Sequence, residues 1–366
     1  MVTDRSDLSL AHQVADGFEL GAPRRMTWVA RGAMGQVWRL DTETGSFAVK
    51  ESLQPEDPSS FERQLGFASA VSERAHEAGV LVTRPVRSPA GLLLLPVRPE
   101  HDAEPRHVRA TTWIDGSPGV DTSSAASWLG STMALIENLP DLPPAPPRDR
   151  WMQAWFTQVP TGEQWSRLAE RSGTVGAPWT GALEVQLPTF AALTALVGPP
   201  QADRLIVAHT DLQPKNVLTA ASDYALLDWD EAAETSRDRV LARAIADWHL
   251  HNGVIDSDAV HATITAYRAG GGTGTLHQVD AFGDLVAGFL NYLYEQIETS
   301  LDHPAGHADE SANHVMGMIT DPVDITTLHR LSDLDIRADR HGRHRVASPA
   351  GHTSTDDAGY HGASLP

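Results

Sequence analysis

Apolar and polar positions alternate in short runs over the first third of the chain and repeat at helical spacing over the last third. Residues 26–40 read strand, glycine turn, strand, with Gly32 and Gly35 at the turn, and residues 46–50 form the next strand after a turn at 41–45. Ahead of them, Leu8, Leu10 and Val14 mark a short amphipathic helix that ends in a turn at Gly21-Ala22-Pro23. Residues 60–79 predict a helix, with Ser59 or Ser60 as N-cap and Gly79 as C-cap. Residues 81–85, 91–97 and 108–114 are then predicted strands that complete one small sheet. Asp115-Gly116-Ser117-Pro118-Gly119 is the expected hinge out of it.

Beyond the hinge, residues 125–138 predict a helix, and the five prolines within 139–148 predict a stiff, extended linker. Trp151, Trp155 and Trp165 follow on helical segments, where packing is the expected role and a substrate wall the less favoured one. Residues 185–198 predict a helix that supports the segment after it. Residues 237–252 and 256–269 predict two more, the second ended by Gly270-Gly271-Gly272. Phe282, Val286, Phe289, Leu293 and Ile297 give a third its core-facing stripe. Past Ala338 the periodicity stops, and residues 336–366 are expected to be a disordered tail. The predicted fold is α+β and two-lobed: a small antiparallel-sheet N-lobe over 1–115 and a larger, mainly helical C-lobe over 116–335.

Composition narrows the function. A chain of 366 residues, 41% hydrophobic, supports about two domains. No apolar run reaches membrane-helix length, and the acidic first twenty residues lack the apolar core of a secretory signal. The absence of cysteine excludes disulfides, thiolate catalysis and cysteine-ligated zinc, and fits a reducing cytoplasm. A formal charge of -20 argues against nucleic acid or an anionic membrane as partner. It suits a cationic small molecule, although solubility alone is the weightier explanation. His303, His307, Asp309 and His314 lie in a Pro/Gly-containing stretch that reads as a polar loop rather than a metal site.

The chemistry concentrates in two stretches. His209-Thr210-Asp211-Leu212-Gln213-Pro214-Lys215-Asn216 places an Asp five residues before an Asn between apolar runs, and Leu227-Asp228-Trp229-Asp230 follows about one hairpin later. Phosphoryl transfer needs a carboxylate for the acceptor hydroxyl proton, together with an Asn and an Asp to hold Mg2+. Asp211, Asn216 and Asp228 supply that set. A plain polar turn is the competing reading, disfavoured because Gly32, Gly35 and Lys50 stand upstream in the right order. Glu62 or Glu73 on the predicted helix could pair with Lys50, and Glu62 is preferred because Phe61, Leu65 and Ala68 form the apolar stripe beside it.

The run His209 to Leu218 resembles the H-x-D-x-x-P-x-N-V-L catalytic loop of the aminoglycoside phosphotransferase and choline kinase superfamily. Leu227-Asp228-Trp229-Asp230-Glu231-Ala232 resembles its metal segment. The likeness covers roughly residues 27–300, and Pro214 with the Asp-Trp-Asp favours this small-molecule branch over protein kinases. It implies a protein-kinase-like fold that uses ATP or GTP with Mg2+, in which Asp211 acts on an acceptor hydroxyl while Asn216 and Asp228 bind metal. Lys50 steadies the phosphates, the Gly32–Gly35 loop covers them, and Asp230 and Glu231 are candidates for contact with substrate. Ala30 departs from the first glycine of the protein-kinase loop. The implied acceptor is a hydroxylated, cationic antibiotic-like molecule. Asp238, Asp247, Asp284, Glu295 and Glu298 are candidate grips for it. The alternatives are a metabolic kinase acting on a sugar, an amino alcohol or a biosynthetic intermediate, and a nucleotide-binding pseudoenzyme.

Overall fold

The computed structural model describes residues 5–32, 35–52, 57–98, 105–148, 150–221, 223–302, 308–320 and 323–346. The first half runs α1 (Arg5–Gly17), β1 (Pro23–Gly32), β2 (Gly35–Thr42), β3 (Ser46–Ser52), α2 (Pro58–Glu77), β4 (Leu81–Val82), β5 (Pro85–Val86), β6 (Leu95–Val97) and β7 (Arg106–Thr112). Strands β1, β2, β3, β7 and β5 hydrogen-bond in that order, all antiparallel, and β6 pairs along the same free edge of β7 as β5. The alternation that predicts these strands turns Leu40, Val49, Val108 and Ala110 to one face, where Leu10, Val14 and Phe18 cover them. Helix α2 starts earlier than its serines suggest. Asp57 accepts the Ser59 amide at 2.9 Å and Pro58 takes the first turn, a stronger start signal than either serine.

The second half runs α3 (Ala126–Glu137), α4 (Arg150–Thr157), α5 (Gly162–Val175), α6 (Thr180–Thr194), β8 (Leu205–Ala208), β9 (Val217–Ala220), β10 (Asp223–Leu226), β11 (Ala233–Ser236), α7 (Arg237–His249), α8 (Ser257–Ala269), α9 (Gly283–Asp302), α10 (Ala308–Thr320) and α11 (Ile325–Val346). Strands β8 and β11 pair antiparallel, and β9 and β10 form a hairpin. The fold is thus a mixed α+β, protein-kinase-like one, an antiparallel sheet followed by a mainly helical half. Among the described residues no helix is long and apolar enough to cross a membrane.

Three sequence expectations change, and the packing role expected of Trp165 holds. Strand β4 leaves the N-terminal sheet and pairs in parallel with β10, Val82 opposite Leu226, because the buried face of α2 (Phe67, Val71, Ala75) packs into the C-terminal core and delivers the chain there. Helix α6 packs on α5, α9, α10 and α11, while β8 is backed by α3 and α7 instead. Trp165 is core, its ring 4.8 Å from Phe190 and 5.2 Å from Tyr294. Helix α11 continues to Val346, past the predicted start of the tail. The histidine stretch at 303–307 and residues 347–366 lie outside the described residues.

Helices α3 and α8 meet so closely that a β-carbon on Gly130 would lie 2.1 Å from the Thr263 carbonyl oxygen. Thr263 Oγ1 donates to Ala126 O at 3.0 Å, so its only hydroxyl proton is spent and His249 Nε2 must be the donor in their 2.8 Å bond. That leaves His249 Nδ1 unprotonated, buried and without a hydrogen-bond partner among the described residues. Burial lowers the His249 pKa to about 4. Below pH 6.5 the unfolded chain takes up this proton while the folded chain does not, so stability present above 6.5 is lost as pH falls toward 4. At about 1.4 kcal/mol per pH unit the loss is on the order of 3 kcal/mol. Melting temperature should fall from pH 7 to pH 4, and less steeply in His249→Gln, whose amide still reaches Thr263. Equal slopes would place the loss in other groups.

Candidate active site

The β8–β9 connection carries the first motif. Chain reversal puts Thr210 in the left-handed region at φ 59, a conformation costly for a branched residue and held here by its neighbours. Thr210 Oγ1 donates to Glu231 O at 2.6 Å, and His209 Nε2 bonds Leu227 O at 2.8 Å. The Asp211 amide donates to His209 Nδ1 at 3.3 Å, which fixes the protonated nitrogen as Nε2. Burial lowers the His209 pKa, so the imidazole is neutral and structural, seated edge-on against Trp229 at 4.7 Å. Trp248 Nε1 donates to Leu212 O at 2.8 Å and holds the middle of the loop.

Asp211 and Asn216 face one another, with Asn216 Nδ2 donating to Asp211 O at 2.8 Å and to Asp211 Oδ2 at 2.7 Å. Arg243 Nη2 from α7 reaches Asp211 Oδ1 at 3.2 Å, and Lys215 Nζ lies 3.4 Å from Oδ2. Burial would raise the Asp211 pKa, but Arg243 first, then Lys215 and Asn216, hold it below the ordinary value. The carboxyl is therefore ionised at neutral pH.

The second motif follows β10. Asp228 stands at φ 56, ψ 63, a left-handed position that aims its carboxylate back toward the N-terminal sheet. Lys50 Nζ donates to both Asp228 oxygens, at 2.7 and 2.9 Å, and to Asp230 Oδ2 at 2.9 Å. Arg109, opposite Lys50 in the β3–β7 register, adds a 3.3 Å bond to Asp228 and a short one to Asp230. Burial alone would raise the Asp230 pKa, but Arg109 and Lys50 together hold it far below the carboxylate range. Asp230 thus faces the lysine side of the site. Glu231 differs: burial, then Asp211, raises its pKa, and its carboxyl has no hydrogen-bond partner among the described residues.

The expected Lys50–Glu62 pair does not form. Glu62 accepts the Leu93 and Leu94 amides, both at 2.8 Å, because Phe61 and Leu65 pack beside those leucines and turn the carboxylate to that strand end. Its neighbour Gln64 faces the site instead, donating to Asp230 O at 3.0 Å and Ala232 O at 2.8 Å. Gly32 and Gly35 lie opposite one another across β1 and β2. A β-carbon on Gly35 would fall 1.9 Å from Glu51 O, so only glycine allows β2 to approach β3 there. Arg109, Gln64 and Arg243 are the contributors that sequence reasoning misses. Strand register and helix phase decide them, and no local pattern records either.

The candidate acceptor grips are largely committed. Asp238 bonds Arg204, Asp284 bonds Arg239, and Asp247 lies 3.4 Å from Arg243. Glu298 engages Tyr294, and Glu295 neighbours Glu298 on α9.

Comparison with known proteins agrees with this geometry. A family model described as the phosphotransferase enzyme family matches residues 26–249, more than half of the chain. No curated protein matches by sequence. Among solved structures, an amicoumacin kinase in complex with AMP-PNP and Ca2+ superposes with a TM-score of 0.60 at 13% identity, covering 88% of this chain and 96% of that one. A microcompartment-associated aminopropanol kinase gives 0.57 at 14% identity, covering 92% and 98%. A spectinomycin phosphotransferase in complex with ADP and spectinomycin gives 0.54 at 14%, covering 90% and 98%. At these identities the likeness is one of fold.

The four-charge cluster sets an order of stability effects. Asp230→Ala strands two cations beside one carboxylate in a dry site and should cost about 3–5 kcal/mol in urea unfolding. The Asp228 side chain is 36% exposed, and Asn tolerates the left-handed backbone, so Asp228→Asn should cost about 1 kcal/mol or less. The reverse ranking would make Asp228 the anchor.

Proposed function

Because the chain belongs to the phosphotransferase enzyme family, we propose that it moves the terminal phosphoryl group of ATP or GTP to a hydroxyl of a small molecule. The observation that carries this reading is the direct hydrogen bonding of the two motif segments through His209–Leu227 and Thr210–Glu231, with Lys50 bonded to Asp228 across the lobes. In this proposal residues 1–115 hold the nucleotide, and residues 116–335 hold the acceptor and the catalytic loop.

Asp211 orients the acceptor hydroxyl and takes its proton late, and its low pKa is no obstacle because positioning and charge neutralisation do most of the work. Arg243 keeps that carboxylate ionised and fixed in direction. Lys50 steadies the phosphates, and Arg109 beside it adds a second cation on the same side. The Gly32 and Gly35 amides, at the facing ends of β1 and β2, would approach the anion.

Asn216 and Asp228 are the residues that would hold Mg2+. Their oxygens suit a hard cation, and with Nδ2 spent on Asp211, Asn216 Oδ1 has no partner among the described residues. The metal supplies charge neutralisation on the transferring phosphoryl group.

The first acceptor class is a hydroxylated antibiotic-like natural product, as spectinomycin and amicoumacin are for two of the structural neighbours. The second is a metabolic alcohol, as aminopropanol is for another. ADP or GDP release measured across aminoglycosides, peptide antibiotics, sugars and amino alcohols separates the two. Asp211→Asn should lower turnover by about two to four orders of magnitude with nucleotide affinity little changed. Undiminished turnover in that variant would remove Asp211 from the chemistry.

A further inference from the structure

Arg148 closes the proline-stiffened linker before α4, and its guanidinium reaches in beside the catalytic loop. It lines one cavity with His209, Thr210, Phe156 and Arg243. Its Cζ lies 5.5 Å from the centre of the Phe156 ring, and that of Arg243 lies 5.8 Å from the same centre. Two guanidinium groups therefore share one aromatic ring, next to the carboxylate assigned to the acceptor hydroxyl.

Their electrostatic situations differ. Arg243 bonds Asp211 and Asp247. The other arginines around the site, Arg109 and Arg239, also hold carboxylates. Arg148 has no hydrogen bond or ion pair among the described residues, and its Nε is buried without a partner. Asp284 and Glu231 act on it only through space. Asp284 is already taken by Arg239 and Thr235, and the Glu231 carboxyl is pushed toward its neutral form. Burial lowers the Arg148 pKa, yet a guanidinium does not lose its proton in a protein, so the charge persists with no anion at ion-pair distance among the described residues, although Asp284 lines the same cavity. The space open beside it is about 30 Å3, room for one or two water molecules or one small functional group, and too little for a ring.

We propose that the acceptor carries a carboxylate a few bonds from its reactive hydroxyl, and that Arg148, with Arg243 behind it, receives that carboxylate. This deepens the phosphotransferase reading and rests on it. The nucleotide's own phosphates are accounted for on the opposite side, by Lys50 and Arg109. A planar fork facing a planar carboxylate fixes orientation as well as affinity, so the same contact turns the hydroxyl toward Asp211.

The test uses the full chain saturated with AMP-PNP and Mg2+, and three ligand pairs that differ only in a carboxylate for a hydroxymethyl group: glycerate and glycerol, homoserine and homoserinol, gluconate and glucitol. Calorimetric titration should show at least one acid binding tenfold or more tighter than its alcohol, the expected size for a charge-assisted pair. Arg148→Met should abolish that difference, and Arg148→Lys should keep part of it. AMP-PNP affinity in each variant reports folding, and if Arg148→Met fails that control the lysine variant carries the comparison. The proposal is overturned if no acid binds, if homoserinol or a cationic aminoglycoside binds more tightly than every acid, or if the preference survives in Arg148→Met. Turnover with ATP is measured separately, so an acid that binds without being phosphorylated counts against the phosphotransferase reading and not against this one.

Discussion

Two cations and two carboxylates, mostly shielded from water, join the N-terminal sheet to the C-terminal half. Lys50 and Arg109 project side by side from adjacent strands, and Asp228 and Asp230 meet them from one turn. Charges in such a place persist only when paired, and here each has two partners of opposite sign. The turn bearing the carboxylates is therefore held from above by side chains. Gln64 holds it from the flank by its main-chain carbonyls, and His209 and Thr210 hold it from below. The left-handed backbone at Asp228 is a local cost that this surrounding network offsets.

The loop at 209–216 follows the same logic on the other side. Asp211 is buried enough that, alone, it would favour its neutral form. Arg243, Lys215 and Asn216 reverse that, and the same contacts fix where its oxygens point. One carboxylate is thereby ionised, oriented and partly dry, the combination in which a charge acts most strongly on a neighbouring group. Glu231, just past Asp228 and Asp230, has burial without an arginine at hydrogen-bond distance among the described residues and shifts the opposite way. The contrast comes from side-chain partners, since both carboxyls are withdrawn from water.

What could be read from the sequence was local. The segments 209–216 and 227–232 advertise themselves because their chemistry is contiguous, and Lys50 follows because it ends an apolar strand downstream of paired glycines. The helices declare themselves by their stripes. Missed features depend on which residues oppose one another across space. Arg109 matters only because β3 and β7 pair in one register. Glu62 turns away from Lys50 and Gln64 faces the site because helix phase is set by Phe61 and Leu65 packing on Leu93 and Leu94. Arg243 and Arg148 sit among unremarkable arginines until the α7 packing and the linker path bring them to Asp211 and Phe156. Five acidic residues drew attention as free charges, whereas three of them neutralise arginines of the chain itself.

Strand β4 is a two-residue piece of the N-terminal half that hydrogen-bonds, in parallel, to the strand delivering Asp228. Among the described residues this main-chain pairing and the buried face of α2 together tie the N-terminal half to the C-terminal core. Separation by straight translation would break that pairing, whereas rotation about it leaves it whole.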